Sequence, residues 1–235
     1  MAKSALLCCA VSGTMGRCKG VVRLKTWLFD FDGTLVDSMP TYVSVMLRIL
    51  DENGVAYGDD IVKIITPLGY RGTAEYFVQL GVRLRVEQIM AKMTEYALHE
   101  YANNVQAKAH VAQVLRLLKE RGDDLNVLTA SPHTMLDPCL RRLGVFELFR
   151  NVWSCDDFGT TKADPEIYRM AAQRLGRPID EVWFLDDNYN ADCTAKQAGM
   201  LVCGVYDDSS KEYEAEMRAV TDAYVYDFSE LPDLK

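Results

Sequence analysis

The sequence predicts an α/β protein: a parallel sheet covered by helices on both faces, interrupted near its start by an all-helical insert. Three observations carry this. Short runs that are apolar throughout alternate with amphipathic helical patterns from Gln106 to Tyr226, as strands of a doubly covered parallel sheet do. The stretch from Thr41 to Asn104 shows helical periodicity and no strand pattern, and is long enough for a small helical bundle. Polar clusters follow three of the strands, Asp30/Asp32, Thr129/Ser131 and Asp186/Asp187. The carboxyl ends of parallel strands lie along one edge, where open α/β sheets bind ligands.

With 235 residues the chain can bury one large core, or a core and a smaller domain. A formal net charge of −8 argues against nucleic acid or an anionic membrane as a general partner. No apolar run approaches the roughly 20 residues needed to cross a bilayer. The seven cysteines are odd in number and form no C-x-x-C pair. Most lie in apolar surroundings, as reduced core thiols do, so a cytoplasmic location is expected. Residues 1–20 carry Lys3, a short apolar patch from Ala5 to Val11 and then small residues. That patch is at the lower limit for a signal-peptide core, and a disordered or loosely attached extension is expected instead.

Along the chain, Trp27-Leu28-Phe29 is the first strand, and it delivers Asp30 and Asp32 into a turn at Gly33. Strand side chains alternate, so residues two apart share a side and the two carboxylates face one point. They repel each other unless a cation or a shared proton intervenes. Solvated aspartates capping the next helix are the alternative on this stretch alone, but a position at a strand end favours function; Asp37 and Ser38 read as caps of the next helix. Val43, Met46, Leu47 and Leu50 recur at i, i+3, i+4 and i+7 and predict a helix over Thr41–Asp51, ended by Gly54 and Gly58. Two shorter helices follow within Asp60–Val82, broken around Pro67-Leu68-Gly69. Val86, Met90, Met93 and Ala97 then mark a longer helix to about Tyr101.

From Gln106 the alternation begins. A helix ending at Gly122 leads to a strand at Leu125–Leu128, which runs into Thr129-Ala130-Ser131. A helix to Leu143, a strand near Val152-Trp153 and a helix over Pro165–Leu175 come next. The strand Val182–Leu185 precedes a helix over Asn190–Ala198 and the strand Leu201–Val205. A helix over Lys211–Val220 and a last strand at Ala223–Tyr226 complete the pattern. Single residues stay ambiguous at this level. Ser131 could cap the following helix, Lys162 alone reads as a surface lysine, Asp186-Asp187 as a turn pair, and Asp192 as part of a solvated helix face.

Together, however, these residues resemble a family. Asp30-Phe31-Asp32-Gly33-Thr34-Leu35-Val36-Asp37-Ser38 resembles the first motif of the haloacid dehalogenase superfamily in its phosphatase form. Leu128-Thr129-Ala130-Ser131 is similar to its second motif, Lys162-Ala163-Asp164-Pro165 to its third, and Leu185-Asp186-Asp187-Asn188 to its fourth. All four stand in order between Thr26 and Gly199. The resemblance implies a Rossmann-like core with strand order 5-4-1-2-3 over residues 21–39 and 105–235. It also implies a helical cap over 40–104, in the position found in the phosphoglycolate phosphatase and β-phosphoglucomutase branch. Two departures stand out: Ala163 replaces the usual Pro, and Asp186 stands where many phosphatases have Gly and the mutase has Glu.

The family's chemistry, carried onto these positions, implies a Mg²⁺ ion held by Asp30, the backbone carbonyl of Asp32, and Asp187, with Asp186 as a direct or water-bridged helper. It implies Asp30 as nucleophile and Asp32 as acid and base. Thr129, Ala130 and nearby backbone N–H groups would hold phosphate oxygens, and Lys162 would neutralise charge. The second acid, Asp32, argues against dehalogenation. Specificity would come from the cap, with Gly69, Tyr70 and Arg71 in the Gly-rich stretch Thr66–Thr73 as candidate substrate-binding residues and Met39-Pro40 and Asn103–Gln106 as hinges. The expected function is a Mg²⁺-dependent phosphatase for a small phosphorylated metabolite of phosphoglycolate or sugar phosphate type. A phosphomutase and a non-catalytic phosphoryl-ligand-binding regulator are the alternatives.

Overall fold

The computed structural model describes residues 24–65 and 68–234. The expected N-terminal extension over 1–20 lies outside the described residues, as do Thr66 and Pro67. Six parallel strands form the main sheet: β1 (Thr26–Phe29), β4 (Asp124–Thr129), β5 (Asn151–Ser154), β6 (Val182–Asp186), β7 (Leu201–Val205) and β8 (Ala223–Val225). Their order is β5-β4-β1-β6-β7-β8. The first five reproduce the expected order read from the opposite edge, and β8 extends it by one strand beside β7.

Strand β1 is central because it is apolar on both faces. Trp27 and Phe29 enter a core shared with Val114, Leu115 and Leu118 of helix α5 (Val111–Arg121) and Leu136 and Leu140 of α6 (His133–Arg142). Leu28 enters the opposite core, with Ile167, Tyr168 and Ala171 of α7 (Pro165–Leu175) and Ala191 and Ala195 of α8 (Tyr189–Ala198). Alternate side chains of one strand thus anchor the helices of both layers. At its carboxyl end β1 pairs Phe29 with Val127 of β4 and Leu185 of β6, so the residues that follow all three strands emerge together.

The insert is helical, as the periodicity predicts: α1 (Met39–Glu52), α2 (Ile61–Ile65), α3 (Gly69–Gln79) and α4 (Val86–Asn103). Helix α1 starts two residues earlier than expected, with Pro40 in its first turn, where the missing N–H has no helical partner in any case. Ser38 takes the N-cap position, but its side chain makes no capping bond. The chain enters and leaves the insert through a feature the sequence did not signal. The two-residue strands β2 (Val36–Asp37) and β3 (Gln106–Ala107) pair antiparallel, Val36 with Ala107 and Asp37 with Gln106. Two residues are too few to show a period. A helix, α9 (Glu214–Val220), links β7 to β8. Among the described residues no helix is long and apolar enough to cross a membrane.

Candidate active site

The loops that leave β1, β4 and β6, and the segment after β5, converge on one point at the carboxyl edge of the sheet. Asp30 follows β1, is buried, and donates its own N–H to Leu185 O at 2.8 Å, which locks the strand end to β6. Lys162 reaches across from the segment before α7. Its ammonium forms an ion pair with Asp30 and another with Asp186 Oδ2 at 2.8 Å. The second oxygen of Asp186 accepts the Asn188 N–H at 2.8 Å. Asp187 Oδ1 accepts the Thr34 hydroxyl at 2.9 Å. Carboxylate oxygens of Asp30, Asp186 and Asp187 lie within 4.8 Å of one another, and all three residues are buried.

Gly33 makes this convergence possible. Its φ is +71°, and a Cβ built there would sit 2.3 Å from Asp187 Oδ2. Any side chain would therefore push the carboxylate away from the turn. Lys108, which the sequence pattern did not single out, pins the same turn. Its ammonium donates to Gly33 O at 2.7 Å and to Asp207 Oδ2 at 3.0 Å, and also to Tyr206 O. The loss of Pro at position 163 is offset locally. Asp164 caps α7 through the Glu166 N–H at 2.9 Å and accepts the Thr160 hydroxyl at 2.9 Å, while Tyr168 donates to Lys162 O at 3.2 Å.

The electrostatics are those of too much buried negative charge. Burial pushes the Asp30 carboxyl up to about 7; Lys162 opposes that shift, and Asp186 and Asp32 add to it. Burial likewise raises Asp187 well above the usual carboxylate range, reinforced by Asp186, Asp30 and Asp207. Burial alone would lower the Lys162 ammonium, but the Asp186 and Asp30 carboxylates outweigh it and hold it well above the ordinary lysine value. One ammonium among three buried carboxylates leaves an all-oxygen donor set that is short of positive charge, which fits a hard divalent cation.

Asp32 stands at the rim of this cluster. Tyr101, in the last turn of α4, donates its hydroxyl to Asp32 Oδ1, and Ser131 donates its hydroxyl to Oδ2. Ser131 therefore does not cap the helix that follows it; Pro132 holds the N-cap position of α6 without a side-chain bond. Thr129 is buried at the end of β4 and accepts the Ser131 N–H at 3.1 Å, while Ala130 is exposed beside it. Asp192 departs from the solvated-face reading. It is fully buried on the inner side of α8, neither carboxyl oxygen has a hydrogen-bond partner, and burial with the Asp186 and Asp187 charges raises it well above the usual range. Its spacing to Ala195 was the available signal, since i and i+3 share a helix face.

The candidate residues of the insert are less gathered. The Gly-rich stretch, expected as a break between helices, is already helix from Gly69 onward, because α3 begins there. Tyr70 stacks on Tyr42 with ring centroids 5.7 Å apart; burial, then Tyr42 and Asp32, push its phenol up to about 12. Arg71 points away, about 63% exposed, beside Glu75 at 4.0 Å.

Known proteins share this arrangement of chain. The family model described as haloacid dehalogenase-like hydrolase matches residues 24–199. Phosphoglycolate phosphatase of Yersinia pseudotuberculosis is 28% identical over 186 residues, covering 75% of this chain and 78% of its own. Validoxylamine A 7'-phosphate phosphatase of Streptomyces hygroscopicus subsp. limoneus is 25% identical over 207 residues, covering 88% and 95%. Among solved structures, YfnB of Bacillus subtilis bound to magnesium superposes with a TM-score of 0.75 at 16% identity, over 90% of this chain and 98% of that one.

Proposed function

The chain belongs to the haloacid dehalogenase-like hydrolases and is a phosphoric monoester hydrolase, and on that premise we propose that it is a Mg²⁺-dependent phosphatase of small metabolites with Asp30 as nucleophile. The observation that carries this reading is the buried cluster of Asp30, Asp186 and Asp187 around Lys162. Asp30, Asp186 and Asp187, with the backbone carbonyl of Asp32, would hold the ion, which when bound supplies the positive charge that lets a carboxylate meet an anionic phosphate.

Asp30 attacks phosphorus in line. A bond forms from its carboxylate oxygen to phosphorus as the ester P–O bond breaks, giving an aspartyl-phosphate. Asp32 gives its proton to the departing oxygen and takes one from the water that then cleaves the intermediate. Lys162 sits where charge accumulates on the phosphoryl oxygens, and Thr129 and Ala130 offer a hydroxyl and an N–H at the end of β4. Residues 40–104 act as a cap over this core, hinged at Met39-Pro40 and Asn103–Gln106, and exclude water on closing. A substrate of phosphoglycolate or sugar phosphate type accords with relatives named for phosphoglycolate and for a 7'-phosphate. Of Gly69, Tyr70 and Arg71, Tyr70 is the insert residue proposed to meet it, since Arg71 stands in solvent beside Glu75.

Hydrolysis of p-nitrophenyl phosphate should require Mg²⁺, cease on addition of EDTA and return with excess Mg²⁺. Asp30→Asn should lower kcat by on the order of 10⁴-fold. Undiminished turnover in that variant would overturn the assignment.

A further inference from the structure

We infer that Tyr101 and Ser131 form a two-sided clip that positions the Asp32 carboxyl for proton transfer. This rests on the reading of Asp32 as proton carrier. Each Asp32 oxygen has its own hydroxyl partner, and the two come from different layers. Tyr101 OH on Oδ1 belongs to the insert, and Ser131 Oγ on Oδ2 belongs to the loop after β4. With both oxygens engaged, the carboxyl plane cannot rotate about its last bond without losing a bond on one side.

The partners are also of a particular chemical type. A hydroxyl both donates and accepts, so each can donate to the carboxylate and, by turning its own O–H, accept from the carboxylic acid. A lysine or arginine could only donate, and would favour one form. Hydroxyl partners therefore suit a group that alternates between the two within one turnover.

Tyr101 is itself held. Its ring packs on Phe31 with centroids 6.0 Å apart, it is 8% exposed, and its carbonyl accepts from Arg142 Nη2 at 3.3 Å. The same guanidinium nitrogen donates to Val105 O, which ties the end of α4 to the core helix α6. A phenol so fixed has little rotamer freedom left, which is the requirement for a positioning residue. In the step it serves, the Asp32 O–H bond breaks and an O–H bond forms on the leaving oxygen, while phosphorus passes from that oxygen to Asp30.

The leaving group provides the test. p-Nitrophenolate departs without a proton, whereas an alkoxide from an alkyl phosphate requires one, and kcat/KM reports the steps through transfer to Asp30. Tyr101→Phe keeps the ring on Phe31 and removes only the hydroxyl. It should lower kcat/KM for an alkyl phosphate such as glycerol 2-phosphate by roughly 10- to 100-fold, and that for p-nitrophenyl phosphate by far less. Ser131→Ala, on the core side and independent of insert packing, should show the same split. Asp32→Asn serves as the reference. If Asp32→Asn splits the two substrates and neither clip variant does, the clip is overturned and the proton-carrier reading stands. Equal losses on both substrates in the clip variants would also overturn it. If Asp32→Asn itself shows no split, the underlying reading fails instead.

Discussion

The sheet edge and the helical insert contribute to the same site in opposite ways. At the sheet edge Asp30, Asp186 and Asp187 are buried, Lys162 pairs with the first two, Thr34 holds the third, and a backbone bond to β6 fixes Asp30. On the insert, Tyr70 rests on a neighbouring ring and Arg71 stands in solvent. The first region leaves no room for an added atom at Gly33, where a Cβ would meet Asp187 Oδ2 at 2.3 Å. The second presents adaptable aromatic surface. On the proposed function, chemistry common to every phosphate ester would belong in the rigid region, and discrimination between leaving groups in the adaptable one.

Substitutions can break or sharpen that contrast. Among substitutions that leave the reacting groups in place, the largest effect is expected for Gly33→Ala. The left-handed φ costs about 1–2 kcal/mol with a Cβ present, and displacement of Asp187 should lower kcat by roughly 100-fold. Near-normal kcat would mean the edge is more forgiving than its geometry implies. Asp192→Leu should act on stability alone, and in the other direction. Burial raises the folded pKa of Asp192, so the folded form holds a proton that the unfolded chain releases above about pH 4. Wild-type stability is therefore lost as pH rises from there, and the variant escapes the loss. Its melting temperature should exceed that of the wild type at pH 8 by an amount equivalent to about 1–3 kcal/mol, with the gap closing toward pH 4. A gap independent of pH would show that the carboxyl does not titrate as described.

Two predictions concern the insert. Tyr70→Ala should raise KM by about tenfold while kcat changes little, as expected for loss of contact made equally before and during reaction. A fall in kcat alone would move Tyr70 into the rigid group. Arg71→Ala should change kcat/KM by less than about threefold and stability by less than about 0.5 kcal/mol, since its pairing with Glu75 is solvent-exposed. A larger loss confined to substrates with a second anionic group would restore Arg71 as a specificity residue.

The same contrast governs how much was legible in the sequence. Asp30, Thr129 and Asp186 stand directly after apolar runs, so the strand pattern itself locates them at one edge. Lys162 needed the family resemblance, because its partners lie 24 residues downstream, at Asp186, and far upstream, at Asp30. Tyr101 reads in sequence as the last apolar position of α4, and nothing in helical periodicity reveals that its hydroxyl bonds a residue 69 positions earlier. Lys108 was hidden for the same reason, since its three acceptors are gathered from the turn at Gly33 and the segment after β7. Asp192 is legible only from its place on the inner face of α8, because a carboxylate in a helix otherwise reads as solvent-facing.

The β2–β3 ribbon sets the mechanics of the insert. Two chain crossings bonded side by side behave as a strap, which bends readily across its width and resists twisting. On the proposed function, a cap hinged at this ribbon would be limited to one swing. Helix α4 has 18 residues and runs back from this pivot, a lever of about 27 Å. A swing of about 10° would carry its far end by about 5 Å, yet shift Tyr101, two residues from the near end, by only about 0.5 Å. The contact with Asp32 thus sits at the fulcrum, where such an opening would leave it almost undisturbed.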